Sequence, residues 1–92
     1  MILSFRHKGL EDFFRTGSKG GIQPVHARRL RELLTTLNVA TGPQDLGRPG
    51  WRLHPLTGDL AGYWSLTVQA NWRIIFRFDG DDVELLDYLD YH

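Results

Sequence analysis

Residues 71–78, NWRIIFRF, alternate between two kinds of side chain along their length. The even-numbered positions are all aromatic or aliphatic, whereas two odd-numbered positions are arginines, Arg73 and Arg77. A period of two places successive side chains on opposite faces of a sheet. The stretch therefore predicts a β-strand with one face toward a hydrophobic core and an open face that carries two arginines.

Two segments before this strand have apolar side chains at helical spacing. In residues 7–16 these are Leu10, Phe13 and Phe14, and a glycine follows where a helix C-cap is expected. In residues 24–39 four leucines form one stripe, a proline opens the pattern, and a Gly-Pro pair ends it. The sequence thus predicts two helices that cover the apolar face of the strand.

Further segments read as strands joined by short turns. Residues 2–5 are a brief opening strand, and residues 51–56 are a strand in which Pro55 implies an edge, an end or a bulge. Residues 63–69 alternate, with Trp64, Leu66 and Val68 inward, and residues 83–91 form the final strand. Helices gathered on one side of a twisted, mainly antiparallel sheet of four to five strands make an α+β fold, and residues 1–92 form one domain.

Composition excludes several classes of protein. The chain has no cysteine, which removes disulfides, thiolate metal sites and thiol catalysis. It has no apolar run near the roughly 20 residues of a membrane span and no signal-peptide pattern, so a cytoplasmic protein with no membrane partner is expected. The formal net charge is +0, yet Lys and Arg concentrate before residue 32 and acids after residue 78. A neutral molecule can therefore still carry a basic patch.

Few residues are candidates for catalysis, and each of them also has an ordinary structural explanation. An isolated histidine on a short strand, two arginines on an open sheet face and a polar terminal triplet are common surface features. Together they suggest more, because two histidines can supply a general base and a general acid, and arginines can bind a phosphodiester. The candidates are His54, Arg73, Arg77, Asp90, Tyr91 and His92.

Cleavage of RNA is the reaction that requires the fewest catalytic groups from these candidate residues. It carries its own nucleophile, the 2′-hydroxyl, so a base, an acid and an arginine that stabilises the phosphorane are sufficient without a metal. Strand alternation places Asp90 and His92 on one side of the last strand and Tyr91 on the other, so the pattern alone does not unite them. The four histidines lack metal-motif spacing and no phosphate-binding glycine motif is present, so neither metal nor cofactor is predicted.

The chain resembles the HigB-type toxins, the plasmid maintenance system killer group of the RelE/ParE superfamily. The resemblance rests on an ordered set of motifs over nearly the full length: FRHKGL, HARRL, RLHPL, GYWSL, NWRIIFRF and DYH. It implies the RelE-like microbial RNase fold and the toxin role in a type II toxin–antitoxin system. It also implies ribosome-dependent cleavage of messenger RNA in the decoding site, and a HigA-type helix-turn-helix antitoxin as partner.

The resemblance also assigns roles to particular residues. His54 or His92 is the base and the other, or Tyr91, is the acid, while Arg73 stabilises the scissile phosphate. Asp90 orients a histidine or a substrate hydroxyl. The residues expected to contact message or ribosomal RNA are Asn71, Arg77, Arg28, Arg29 and Arg31.

Two alternatives remain open on the sequence. One is a ParE-like toxin of the same fold that poisons DNA gyrase by binding and cleaves nothing; His54 and the terminal DYH favour the nuclease over it. The other is a catalytically inactive module that binds RNA or sequesters an antitoxin. Its one hint is Thr57, which occupies a position that is often basic in the family.

Overall fold

A computed structural model describes residues 1–91 and shows two helices followed by four strands. The helices are α1 (Lys8–Thr16) and α2 (Ala27–Val39). The strands form one antiparallel sheet in sequence order, so each strand pairs with the next along the chain. The predicted α+β class is confirmed. The strands are β1 (His54–Pro55), β2 (Tyr63–Gln69), β3 (Trp72–Asp79) and β4 (Asp82–Asp90).

Helix α1 begins and ends at residues whose chemistry suits the position, whereas α2 has no side-chain cap at its start. The His7 imidazole caps α1, because its Nδ1 accepts the backbone N–H of Leu10 at 3.0 Å. Gly17 ends the helix in the left-handed conformation, with φ at 81°. A short 3-10 turn, Pro24–His26, leads into α2, so the helical segment begins at the predicted proline but is not α-helical in its first turn.

The two glycines Gly9 and Gly21 bring α1 close to the loop that precedes α2. A Cβ atom built on either glycine would collide with the backbone of the other. Neither backbone can move aside easily, so any side chain at these positions would separate α1 from the loop. The close approach helps to set how α1 lies against the rest of the core.

The core lies between the helices and one face of the sheet. We call this the covered face, and it carries the even-numbered residues Trp72, Ile74, Phe76 and Phe78 of β3 as predicted. Each fully buried aliphatic side chain contributes about 1.5–3 kcal/mol through removal from water. The side chains with at most 1% exposure include Phe76, Leu10, Leu30, Leu33, Leu34, Leu37, Leu66, Ile74, Val83 and Leu86.

The structure corrects two of the predicted strands. Within residues 51–56, His54 and Pro55 alone are in a strand, because Arg52 has φ at 49° and breaks the extended backbone. Pro55 lies on an edge strand, as its missing N–H requires. The opening residues form no strand of their own but join β4 through two isolated parallel bridges, Ile2 to Val83 and Phe5 to Leu86.

A bulge in β4 adjoins these bridges. The pairing shifts between Ile75 and Arg77, and Leu85 takes φ at 58°, a conformation that side chains other than glycine rarely adopt. The Ser4 hydroxyl accepts a hydrogen bond from the backbone N–H of Leu85 at 3.0 Å, which satisfies the donor that the bulge removes from the ladder.

No helix in residues 1–91 has the length and apolar character needed to cross a lipid bilayer.

Candidate active site

The face of the sheet away from the helices, which we call the open face, contains a cavity of about 210 Å³. Three of its lining residues, His54, Arg73 and Tyr91, are predicted catalytic residues. They come from three places in the chain: the edge strand β1, the central strand β3 and the end of β4. The remaining lining residues are Leu56, Ser65 and Ile75.

Strand register explains how these residues meet. His54 pairs with Ser65, and Ser65 pairs with Ile75, so these three form a row across the open face. Arg73 pairs with Leu89, and Tyr91 lies two residues further along, on the same face as Leu89. The floor of the cavity is nearly inaccessible, since Ser65 and Ile75 expose only 6% and 4% of their surface.

Arg73 is held in place by backbone oxygens. Its Nη1 donates to the carbonyl of Ala70 at 2.7 Å and to the carbonyl of Trp72 at 3.2 Å. Among residues 1–91, no carboxylate lies within ion-pair distance of this guanidinium. Within residues 1–91, the positive charge of Arg73 at the cavity is therefore not paired with a carboxylate, and a guanidinium in this state has donors available for an anion such as a phosphodiester.

Arg77, two residues along the same strand, is in a different situation. Its Nε and Nη2 both donate to Oε2 of Glu84, at 3.1 Å and 2.7 Å. The guanidinium also lies over the ring of Tyr63, with 5.9 Å from its carbon to the centroid. Arg77 does not line the cavity, and much of its charge is neutralised by Glu84.

The end of β4 is tied to the turn between β2 and β3. The backbone N–H of Tyr91 donates to the carbonyl of Asn71 at 2.8 Å, while the side chain of Tyr91 is 49% exposed. Asn71 is exposed at the turn beside it. Asp90 pairs with Trp72 in the register, which assigns its side chain to the covered face. His92 lies outside the described residues.

The arginines of α2 lie on the other side of the sheet. Arg28 and Arg31 line a cleft of about 590 Å³ with Arg48, and Arg28 and Arg29 line a neighbouring one of about 380 Å³. Arg31 also lies 5.1 Å from the centroid of the Phe13 ring. These arginines and the open-face cavity lie on opposite sides of the sheet, so the predicted RNA-binding residues form two separate surfaces.

The two remaining histidines have structural partners. His7 caps α1, and His26 is buried, with its Nδ1 2.6 Å from the hydroxyl of Tyr88. Burial lowers the pKa of His26, an effect that a hydrogen bond with Gln69 opposes. Burial also raises the pKa of Tyr88, opposed by the backbone N–H of Gln23.

Sequence reasoning missed Ser65, Ile75 and Leu56 as parts of the site. The alternating pattern of residues 63–69 did place Ser65 on the outward side, but it could not show which row of the sheet Ser65 joins. That required the pairing of β1 with β2. Within residues 1–91, no cluster of three or more His, Cys, Asp or Glu side chains is arranged to hold a metal ion.

Comparison with known proteins identifies the family. Residues 3–92 match the family described as the RelE-like toxin of the type II toxin–antitoxin system HigB. The chain belongs to the HigB-like toxin family. It is 46% identical over 92 residues to Endoribonuclease HigB of Proteus vulgaris, covering 100% of both chains. It is also 35% identical over 94 residues to Toxin HigB-1 of Vibrio cholerae, covering 100% of this chain and 98% of that one.

Solved structures support the fold. The YoeB–YefM complex from Staphylococcus aureus contains a chain that matches with a TM-score of 0.65 at 17% identity, covering 100% of this chain and 95% of that one. YafQ from E. coli strain BL21(DE3) matches with a TM-score of 0.65 at 18% identity, covering 96% and 89%. At these identities the likeness concerns the fold alone, and it confirms the α+β arrangement expected from the resemblance.

Proposed function

We propose that this toxin is an endoribonuclease that cleaves messenger RNA at the open-face cavity. The observation that carries the proposal is the meeting of His54, Arg73 and Tyr91 around one cavity, where no carboxylate of residues 1–91 is paired with Arg73. The relative from Proteus vulgaris is named an endoribonuclease, which supports the same activity here.

The proposed reaction uses the 2′-hydroxyl of the substrate as its nucleophile. A base, His54 or His92, removes the 2′-proton, and the 2′-oxygen forms a bond to phosphorus. The bond from phosphorus to the 5′-oxygen breaks, and the other histidine or Tyr91 donates a proton to that oxygen. The products are a 2′,3′-cyclic phosphate and a 5′-hydroxyl, and the balance needs no metal or cofactor.

Arg73 acts on the charge that develops during this step. The phosphorane carries more negative charge than the ground-state phosphodiester, so a fixed guanidinium stabilises the transition state preferentially. Such a donor contributes about 10²–10³-fold in rate. In this scheme Asn71 contacts a base edge from the turn. Asp90, whose side chain the register assigns to the covered face, orients a histidine rather than a substrate hydroxyl in the cavity.

We expect the reaction to depend on the ribosome because the chain itself encloses little of the site. His54 and Tyr91 are exposed, and the cavity is small compared with a nucleotide chain. Correct orientation of 2′-oxygen, phosphorus and leaving oxygen is worth several orders of magnitude in rate. A ribosome that presents the message in a bent form supplies this orientation, and Arg77, Arg28, Arg29 and Arg31 contact ribosomal RNA.

The proposed neutralising partner is a HigA-type helix-turn-helix antitoxin. The family is defined by type II toxin–antitoxin systems, and a structural neighbour was solved together with YefM. As part of the same proposal, the bound antitoxin prevents the ribosome or the message from reaching the cavity.

The decisive experiment maps cleavage of messages translated in a purified cell-free system, by primer extension, with and without the protein. Cuts inside translated codons that disappear when ribosomes are omitted are the expected result. Intact messages and continuing translation would contradict the proposal. An assay for gyrase-dependent DNA breaks in the same samples then tests the ParE-like alternative.

A further inference from the structure

Directly behind the candidate active site, four rings pack together on the covered face. The centroids of Trp72 and Tyr88 are 4.7 Å apart, and the His26 ring is 5.5 Å from Trp72. His7 contacts the Tyr88 ring edge-on at 5.3 Å. The proposed chemistry uses none of these four residues, although Trp72 and Tyr88 belong to the two strands that carry the site.

Tyr88 is the centre of this ring cluster and is held at its hydroxyl from two directions. The backbone N–H of Gln23 donates to Oη at 3.3 Å, and Nδ1 of His26 lies 2.6 Å from the same oxygen. Since Oη already accepts a hydrogen bond from the Gln23 N–H, its own O–H is well placed to donate a hydrogen bond to a neutral imidazole. The lowered pKa of His26 agrees with a neutral ring. The phenol therefore connects the segment before α2 to β4.

The connection reaches the site through the backbone of β3 and β4. Trp72 immediately precedes Arg73, and Tyr88 lies three residues before Tyr91. Adjacent residues of a strand project to opposite faces, so side chains fixed on the covered face determine where the next residues point on the open face. Trp72 also pairs with Asp90, next to the hydrogen bond from Tyr91 to Asn71.

The end of β4 needs such support. Beyond Asp90, the backbone N–H of Tyr91 is hydrogen-bonded to Asn71 of the adjoining turn, and the Tyr91 side chain is half exposed. Strand ends with few buried contacts open at little free-energy cost. Buried rings three residues earlier, hydrogen-bonded to a helix-bearing segment, would limit this fraying.

We propose that the His26–Tyr88 hydrogen bond is a positioning element of the active site, which holds the ends of β3 and β4 so that Arg73 and Tyr91 meet at the cavity. The inference rests on the proposed function for its catalytic consequence. The positioning itself is a separate property of the folded chain and can be measured without any substrate.

Hydrogen exchange of the Tyr91 amide tests the positioning directly. Tyr88→Phe keeps the ring and removes the hydroxyl, so we expect the Tyr91 amide to exchange at least about tenfold faster in this variant. The matched control is Leu37→Val, a buried change on α2 away from the ring cluster, compared at conditions that give the two variants equal global stability. Equal exchange rates at Tyr91 in the two variants, or no change in Tyr88→Phe, would overturn the inference.

Cleavage kinetics test the catalytic consequence. In single-turnover cleavage at saturating protein, Tyr88→Phe and His26→Leu should lower the rate constant about 10- to 100-fold with little change in the half-saturating concentration. His26→Asn retains an acceptor near the position of Nδ1 and should stay close to the wild-type rate. Leu37→Val should cleave like the wild type at temperatures where both are folded.

The outcomes separate this inference from the proposed function. If the wild-type protein cleaves and Tyr88→Phe cleaves at the same rate, the positioning role is wrong while the nuclease stands. If the wild-type protein leaves messages intact, the proposed function is wrong and the catalytic part of the inference falls with it. The exchange rate of Tyr91 then decides alone whether the ring cluster positions the strand end.

Discussion

The two faces of the sheet each have a histidine and a tyrosine near the same strand ends, in opposite environments. On the covered face, His26 and Tyr88 are each 4% exposed and hydrogen-bonded to one another. On the open face, His54 and Tyr91 are exposed and line a cavity with Arg73. Residue type alone does not distinguish a structural pair from a candidate catalytic pair, whereas burial and the available partners separate the two pairs here.

The same contrast separates the two arginines of β3. Arg77 donates twice to Glu84, whereas Arg73 is bonded only to backbone carbonyls among the described hydrogen bonds. A guanidinium that already pairs with a carboxylate has fewer free N–H donors and less net charge to offer a phosphate. Among the described residues of the open face, Arg73 thus has no carboxylate partner, whereas Arg77 is paired with Glu84.

The largest effect is expected where the covered face is most tightly packed. Phe76 is fully buried at the centre of β3, so Phe76→Ala should lower the free energy of unfolding by about 3–5 kcal/mol. Urea denaturation followed by circular dichroism measures it. The matched change on the open face, His54→Ala, should leave the free energy of unfolding nearly unchanged; a similar loss in both would remove the distinction between the faces.

The next largest expected effect is the difference in cleavage rate between variants of the two β3 arginines, Arg73 and Arg77. Arg73→Ala should reduce the single-turnover rate of message cleavage by about 10²–10³-fold, because it removes a fixed charge at the scissile phosphate. Arg77→Ala should have a clearly smaller effect, since Glu84 already neutralises much of that charge. Quench-flow cleavage assays with both variants make the comparison, and equal losses would show that the Arg77–Glu84 pair opens when RNA binds.

The smallest expected effect is the pH dependence that His26 contributes to stability. Its pKa is lowered by burial in the folded chain but takes the ordinary value of about 6.5 when the chain is unfolded. Between those two values the unfolded chain binds more protons, so the free energy of unfolding should fall as the pH drops below about 6.5.

Urea denaturation of the wild type and His26→Asn over this range isolates the contribution of His26. Arg28, Arg29 and Glu32 flank the imidazole in the neighbouring cleft and are present in both proteins, so their effects cancel in the difference. The wild type should show the steeper loss on acidification. Parallel curves would mean that the protonation of His26 does not affect folding.

Much of the fold was predictable because it depends on local patterns. The alternation in residues 63–69 and 71–78 located two strands to within one residue at each end, and the leucine spacing of α2 located its end while its start lies three residues later than predicted. The predicted strand at residues 51–56 was mostly wrong. Trp51 lies in a turn, although its side chain is buried, and Arg52 has a left-handed backbone.

The site was harder to predict because it depends on register and on which side of the sheet a residue lies. The resemblance to HigB-type toxins named His54, Arg73 and Tyr91, and the structure places these three around one cavity. Neither spacing nor resemblance showed that Ser65 and Ile75 form its floor, that Glu84 engages Arg77, or that the α2 arginines lie behind the sheet. These are non-local contacts that a linear pattern does not encode.

The most direct test of the account is the cleavage rate of His54→Ala on translating ribosomes, at saturating protein and with its fold verified by circular dichroism. His54 lines the cavity from the edge strand, and its replacement should leave the fold intact because the side chain is exposed. The expected result is a loss of about 10²-fold or more in rate, as for the removal of a general acid or base. A folded His54→Ala protein that cleaves at the wild-type rate would contradict the claim that the open-face cavity is the active site.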